Sequence, residues 1–138
     1  MVSRILVPVD LEHADKLDKA LDLAGRTAKA HDADVVYLDV VDAVPTTSKT
    51  TEGARLAEQL KAFAEAQGAR HGIRARDHVA LRGDLHLNVG PDIIKAASDA
   101  ECDLIVMASH VPGLKEHILS SNAGYVASHA PMSVYVVR

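Results

Sequence analysis

The residues of this chain best suited to chemistry are Ser109 and His110, the run Ser120, Ser121 and Asn122, and the aspartates Asp10, Asp39 and Asp42. Ser120-Ser121-Asn122 stands where small polar side chains open a helix. Backbone N–H groups at a helix start lack intrahelical partners and the helix dipole favours negative charge there. Two hydroxyls with free amides can therefore cradle a phosphate; the same residue types equally suit plain N-capping. Asp10 can accept a hydrogen bond from a ribose hydroxyl or cap the helix that follows it. His110 and His117 lie across Pro112-Gly113 and need not share a face. His129 falls near a helix end, where an imidazolium suits the dipole. The 8 histidines and 1 cysteine form no HExxH or CxxC element. No GxxxxGK[ST] loop, GxSxG elbow or GxGxxG fingerprint occurs either. The pattern points to binding, with no catalytic residue and no protein metal site assigned.

Such residues need elements to hold them. Arg4 to Asp10, RILVPVD, reads as a strand buried on both faces, with Pro8 near its end because proline cannot donate to a ladder. A helix is predicted from Ala14 to Ala30, with Leu17, Ala20, Leu21, Ala24 and Ala28 on one stripe. Asp34 to Val41 is the second strand. A second helix is predicted from Thr51 to Gln67, where Leu56, Leu60, Phe63, Ala64 and Gln67 share a face and Gly68 marks the stop. Arg74 to Leu81 alternates as a weaker strand. Pro91 opens a short helix, a position that proline tolerates. Asp103 to Met107 and Ser133 to Val137 are the last strands, with a helix from Ser121 to His129 between them.

Strands alternating with helices demand parallel neighbours and crossovers. The expected fold is an α/β three-layer sandwich around a five-stranded parallel sheet, as one domain over residues 1–138. Spacing alone leaves the strand order open. Open parallel sheets take ligands at the carboxyl ends of their strands, where the winding reverses. Asp10, Asp39, Asp42 and Ala108-Ser109-His110 all fall at such ends.

Composition narrows the function classes. With 15 basic and 19 acidic residues the net charge is −4, and no basic stripe offers a nucleic-acid footprint. Hydrophobic residues at 48% argue against disorder. The single Cys102, at a strand entrance, excludes an internal disulfide framework and reads as a packed thiol. No apolar run approaches the roughly 18 residues of a membrane span, and Met1-Val2-Ser3-Arg4 has no signal-peptide layout. The expectation is a cytoplasmic protein, away from membranes and nucleic acid.

Three segments carry a resemblance: RILVPVD, VVYLDVVDAVP, and ECDLIVMASH with SSNAGYVASHAPMSVYVVR. Together they resemble the universal stress protein family over nearly the whole chain, and look most like its small, single-domain, nucleotide-binding proteobacterial branch. The resemblance implies the adenine nucleotide alpha hydrolase-like strand order 3-2-1-4-5. It also implies a homodimer, or higher oligomer, built through the C-terminal strand, serving the stress response with a protein partner unknown. It implies ATP or AMP, with magnesium accompanying the nucleotide, at the carboxyl ends of strands one and four. Pro8, Val9 and Asp10 would border the adenosine, with Asp10 on the ribose and Val40 at the adenine. Ala108, Ser109, His110, Ser120, Ser121 and Asn122 would line the phosphates. Many members carry three glycines there, and in this chain those positions fall on Ala108, Val111 and Ser120, with one residue fewer between the last two. Val111 stands where the branch has arginine, which removes a cation that could face phosphate. Ser120 adds a Cβ where glycine lets backbone approach the ligand. The segment over residues 83–90 is longer than the family's usual turn and would reshape the site rim. Two further functions fit the same residues: a nucleotide-independent dimeric interaction module, and a slow ATP hydrolase with His110 facing phosphate.

Overall fold

The computed structural model describes residues 2–41, 49–81, 89–109 and 122–138. Its elements run β1 (Arg4–Pro8), a 3-10 helix (Leu11–Leu17), α1 (Asp18–His31), β2 (Asp34–Val41), α2 (Lys49–His71), β3 (Ala75–Leu81), α3 (Gly90–Asp99), β4 (Leu104–Ala108), α4 (Ala123–His129) and β5 (Ser133–Val137). The five strands form one parallel sheet in the order β3-β2-β1-β4-β5. α1 packs on β1, β4 and α2, whereas α3 packs with α4 and on β2 and β3. Helices therefore cover both faces. This explains why β1 and β4 are unbroken apolar runs: Ile5, Leu6 and Val7, and Ile105, Val106 and Met107, have no solvent face to serve.

The sheet is wound outward from β1 in both directions. After β3 the chain crosses back past β1 to form β4, so β1 is the strand at which the winding reverses. Pro8 closes β1 on register with Leu38, and Val9 N–H then donates to the Leu38 carbonyl at 2.7 Å. That bond holds the turn after β1 against the end of β2.

Three helices hand over to strands by the same device. A left-handed residue follows each helix, and the residue immediately after it returns its N–H to a carbonyl five residues back. The bonds are Ala33 to Ala28 at 2.8 Å, Ile73 to Gly68 at 3.1 Å, and Cys102 to Ala97 at 2.8 Å. The left-handed positions are Asp32 (φ 52°), Gly72 (φ 66°) and Glu101 (φ 57°). α2 consequently runs one turn beyond the Gly68 stop read from the sequence. Gly68 lies inside the helix for a different reason: a Cβ there would stand 3.1 Å from the Ile73 carbonyl and 3.3 Å from the Ala75 Cβ.

The start of α1 also differs from the periodic reading. Residues 11–17 form 3-10 turns with His13 off helical geometry (φ −126°, ψ 26°), and regular helix begins only at Asp18. Asp10 causes this. Its carboxylate accepts the Glu12 N–H at 3.1 Å, its carbonyl accepts the His13 N–H at 3.0 Å, and its Oδ2 pairs with His13 Nδ1 at 3.1 Å. At the opposite end of the sheet, Asp103 accepts N–H bonds from Ser3 and Arg4 and ties the start of β1 to β4.

Candidate functional site

A cleft of about 930 Å³ opens where β1 and β2 end, between the turn after β1 and the inner side of α2. Its floor is Pro8, Val9, Leu38 and Val40. One wall is Asp10, Leu11 and Glu12; the other is α2, through Arg55, Leu56, Gln59 and Phe63. The size suits a nucleoside-sized ligand. The α2 wall stands where it does because Phe63 meets the buried Tyr37 of β2 edge-on, with ring centroids 5.5 Å apart and planes at 89°. Leu60, Ala64 and Gln67 bury the same helix face deeper along the sheet. Leu56 and Phe63, at the upper end of that face, remain half-buried and border the cleft.

Carboxylates dominate the polar lining. Asp39, near the end of β2, joins Asp10 and Glu12 around the same space. Burial, and then the charges of Asp10 and Glu12, push the Asp39 carboxyl up to about 6. Asp10 caps the Glu12 N–H through Oδ1 and pairs with His13 through Oδ2. Asp10, Glu12 and His13 bring potential ligand atoms within 4.8 Å of one another. One of those three atoms is an imidazole nitrogen, whereas magnesium takes oxygen donors. This set does not match magnesium.

The second half of the expected site lies at the end of β4. Ala108 is buried there. Ser109 commits both donors to β5, its N–H to the Val137 carbonyl at 2.9 Å and its hydroxyl to the same oxygen at 3.3 Å. Asn122, 2% exposed, is the N-cap residue of α4. Its carbonyl accepts the Val126 N–H at 3.0 Å, while its side chain makes no capping bond to that helix. Of the predicted residues, Pro8, Val9, Asp10 and Val40 converge on one cleft. His110, Ser120 and Ser121, with Val111 and Asp42, lie outside the described residues.

Two other sequence readings find their place. Cys102 is buried, and burial above all pushes its thiol up to about 11, as befits a packed side chain. His129 stacks on Tyr125 at 4.1 Å, with Nδ1 2.9 Å from the Tyr125 carbonyl.

The model of the universal stress protein family matches residues 1–138. The chain belongs to that family. Solved structures agree on the fold. Universal stress protein UspA from Lactobacillus plantarum is 25% identical, with a TM-score of 0.72 over 99% of this chain and 98% of its own. A family member from Archaeoglobus fulgidus, solved in complex with dAMP, is 21% identical, with a TM-score of 0.73 over 100% of both chains. A third universal stress protein, solved with cAMP, is 18% identical, with a TM-score of 0.68 over 99% of this chain and 97% of its own.

Glu12, His13 and the α2 residues Arg55, Gln59 and Phe63 were not nominated for the site from the sequence. Helical periodicity gave Leu56 and Phe63 an apolar role. No local signal shows that the upper end of that face would stand opposite Asp10.

Proposed function

We propose that this universal stress protein binds an adenine nucleotide in the cleft at the ends of β1 and β2, and acts as a non-catalytic binding module. The carrying observation is the convergence of Pro8, Val9, Asp10 and Val40, from two separate strands, on one cleft of nucleoside size. Relatives solved with dAMP and with cAMP support the adenine class. In this reading the base and ribose occupy the β1–β2 cleft, with Asp10 accepting from a ribose hydroxyl. The phosphates, of ATP or AMP, extend toward the end of β4. Magnesium, when carried, arrives with the phosphates, which with water supply its oxygen ligands. Isothermal titration with AMP and ATP tests this. Micromolar binding weakened about tenfold or more in Asp10→Ala, as expected for loss of a charge-assisted hydrogen bond, supports it. No heat at millimolar ligand overturns it in favour of a nucleotide-independent module, and turnover above background would make the protein a hydrolase.

The working form in this proposal is a homodimer through β5, in the cytoplasm, within a stress response. β5 pairs with β4 on one side only among the described residues, and Tyr135 on it is 51% exposed. An open apolar edge is an association surface. Sedimentation should find a dimer at micromolar concentration, split by Tyr135→Glu; a wild-type monomer at that concentration overturns this part.

A further inference from the structure

The cleft proposed to take a nucleotide is walled by the wrong charge for a polyanion. Asp10 and Glu12 stand on one side and Asp39 stands on the β2 floor, with Arg55 of α2 the cation lining the same space among the described residues. His13 adds charge near Asp10 only when protonated, being paired to it at 3.1 Å. Asp10 has local work to do, capping the 3-10 helix. Asp39 sits inside a strand whose neighbouring positions Val36, Leu38 and Val40 are apolar, on register with Val79 of β3. A half-buried carboxylate there is costly to keep charged. The charges of Asp10 and Glu12 raise that cost further.

We infer that Asp39 is a specificity-determining residue, which makes this cleft select adenine ligands of low negative charge, nucleosides and monoanionic nucleotides, over polyphosphates. The inference rests on the nucleotide reading above and adds which members of that class are favoured. A fixed negative charge repels a ligand in proportion to the ligand's own charge, while its effect on an uncharged nucleoside is limited to local hydrogen bonding. Because Asp39 lies within the cleft, bulk salt screens it less than it would a surface charge.

The test compares three probes without added magnesium: adenosine, cAMP and ATP, titrated calorimetrically into wild type, Asp39→Asn and Glu12→Gln. At pH 7.5, Asp39→Asn should tighten ATP on the order of tenfold and cAMP by about two- to threefold, and change adenosine by less than about twofold. Glu12→Gln should give the same ordering with a smaller amplitude. Wild type should also gain more cAMP affinity than Asp39→Asn between pH 7.5 and 5.5, since the charge of cAMP is constant there. Equal changes for all three probes, or no tightening of ATP, overturn the role of Asp39 while leaving nucleotide binding intact. Failure of every probe to bind any of the three proteins at millimolar concentration overturns the nucleotide reading itself, and this inference with it.

Discussion

Asp39→Asn in the ligand-free protein isolates the cost of holding a charge at the end of β2. In the folded protein the Asp39 carboxyl is raised from 3.8 to about 6, by burial first and then by Asp10 and Glu12. A raised carboxyl means that the folded state binds its proton more tightly than the unfolded chain does. Stability from this group is therefore fully present below about pH 4 and is lost as the pH rises through about 6. At about 1.4 kcal/mol for each tenfold in proton affinity, the full cost is bounded near 3 kcal/mol. Asp39 is partly exposed, and solvent screening brings the working figure to about 1–2 kcal/mol. Asparagine keeps the shape and cannot ionise. Urea unfolding followed by circular dichroism should find the variant about 1–2 kcal/mol more stable than wild type at pH 7.5, or roughly 3–7 °C higher in Tm. At pH 4.0 the two proteins should nearly coincide. Comparing variant with wild type at each pH cancels the titration of carboxylates remote from Asp39. A variant that gains equally at both pH values, or loses stability at pH 7.5, refutes the electrostatic account.

Three further outcomes test the fold that carries the site. A Cβ on Gly25 would lie 2.7 Å or less from ring atoms of His71, so Gly25→Ala should destabilise by about 1–2 kcal/mol net of its better helix propensity. In a His71→Ala background the same substitution should instead stabilise by about 0.5–1 kcal/mol; a double-mutant cycle by chemical denaturation reads the sign reversal. Glu101 occupies a left-handed position, so Glu101→Gly should raise stability by about 1 kcal/mol, seen as a later urea midpoint at constant slope. Burial works against the charge of Asp103, yet N–H bonds from Arg4 and Ser3 hold its carboxyl below the usual range. That stabilisation is present above the ordinary carboxylate range and is lost as the pH falls through the folded value. Asp103→Asn should cost about 1–2 kcal/mol at pH 7 and progressively less in acid, in unfolding curves taken across that range.

Much of the architecture is local and was legible in the chain. β2 and β5 have the bounds read from their apolar runs, and Pro8 ends β1 because proline cannot continue the ladder. The order 3-2-1-4-5 came from the family resemblance. Periodicity carries no information about which strand neighbours which, and the sheet itself realises that order through the crossover from β3 back to β4. Element ends went wrong where contacts outside the helical periodicity decided them. Gly68 looks like a stop, but its missing Cβ accommodates Ile73 and Ala75, and Gly72 makes the left-handed turn. α1 begins late because the Asp10 side chain and carbonyl hold residues 11–13 in a tighter turn.

The candidate site divides the same way. Asp10 and Asp39 could be nominated from their places at strand ends, because parallel sheets present those ends together, whereas Val40 came from the family resemblance. The character of Asp39 could not be nominated. Its carboxyl is hard to ionise because β2 places it beneath α2 while the turn after β1 brings Asp10 and Glu12 up to it. The chain by itself determined which residues are strand, helix and core, since those follow from side-chain type and near neighbours. Tertiary structure alone decided the field inside the cleft, because burial and charge act through space between segments that the sequence keeps apart.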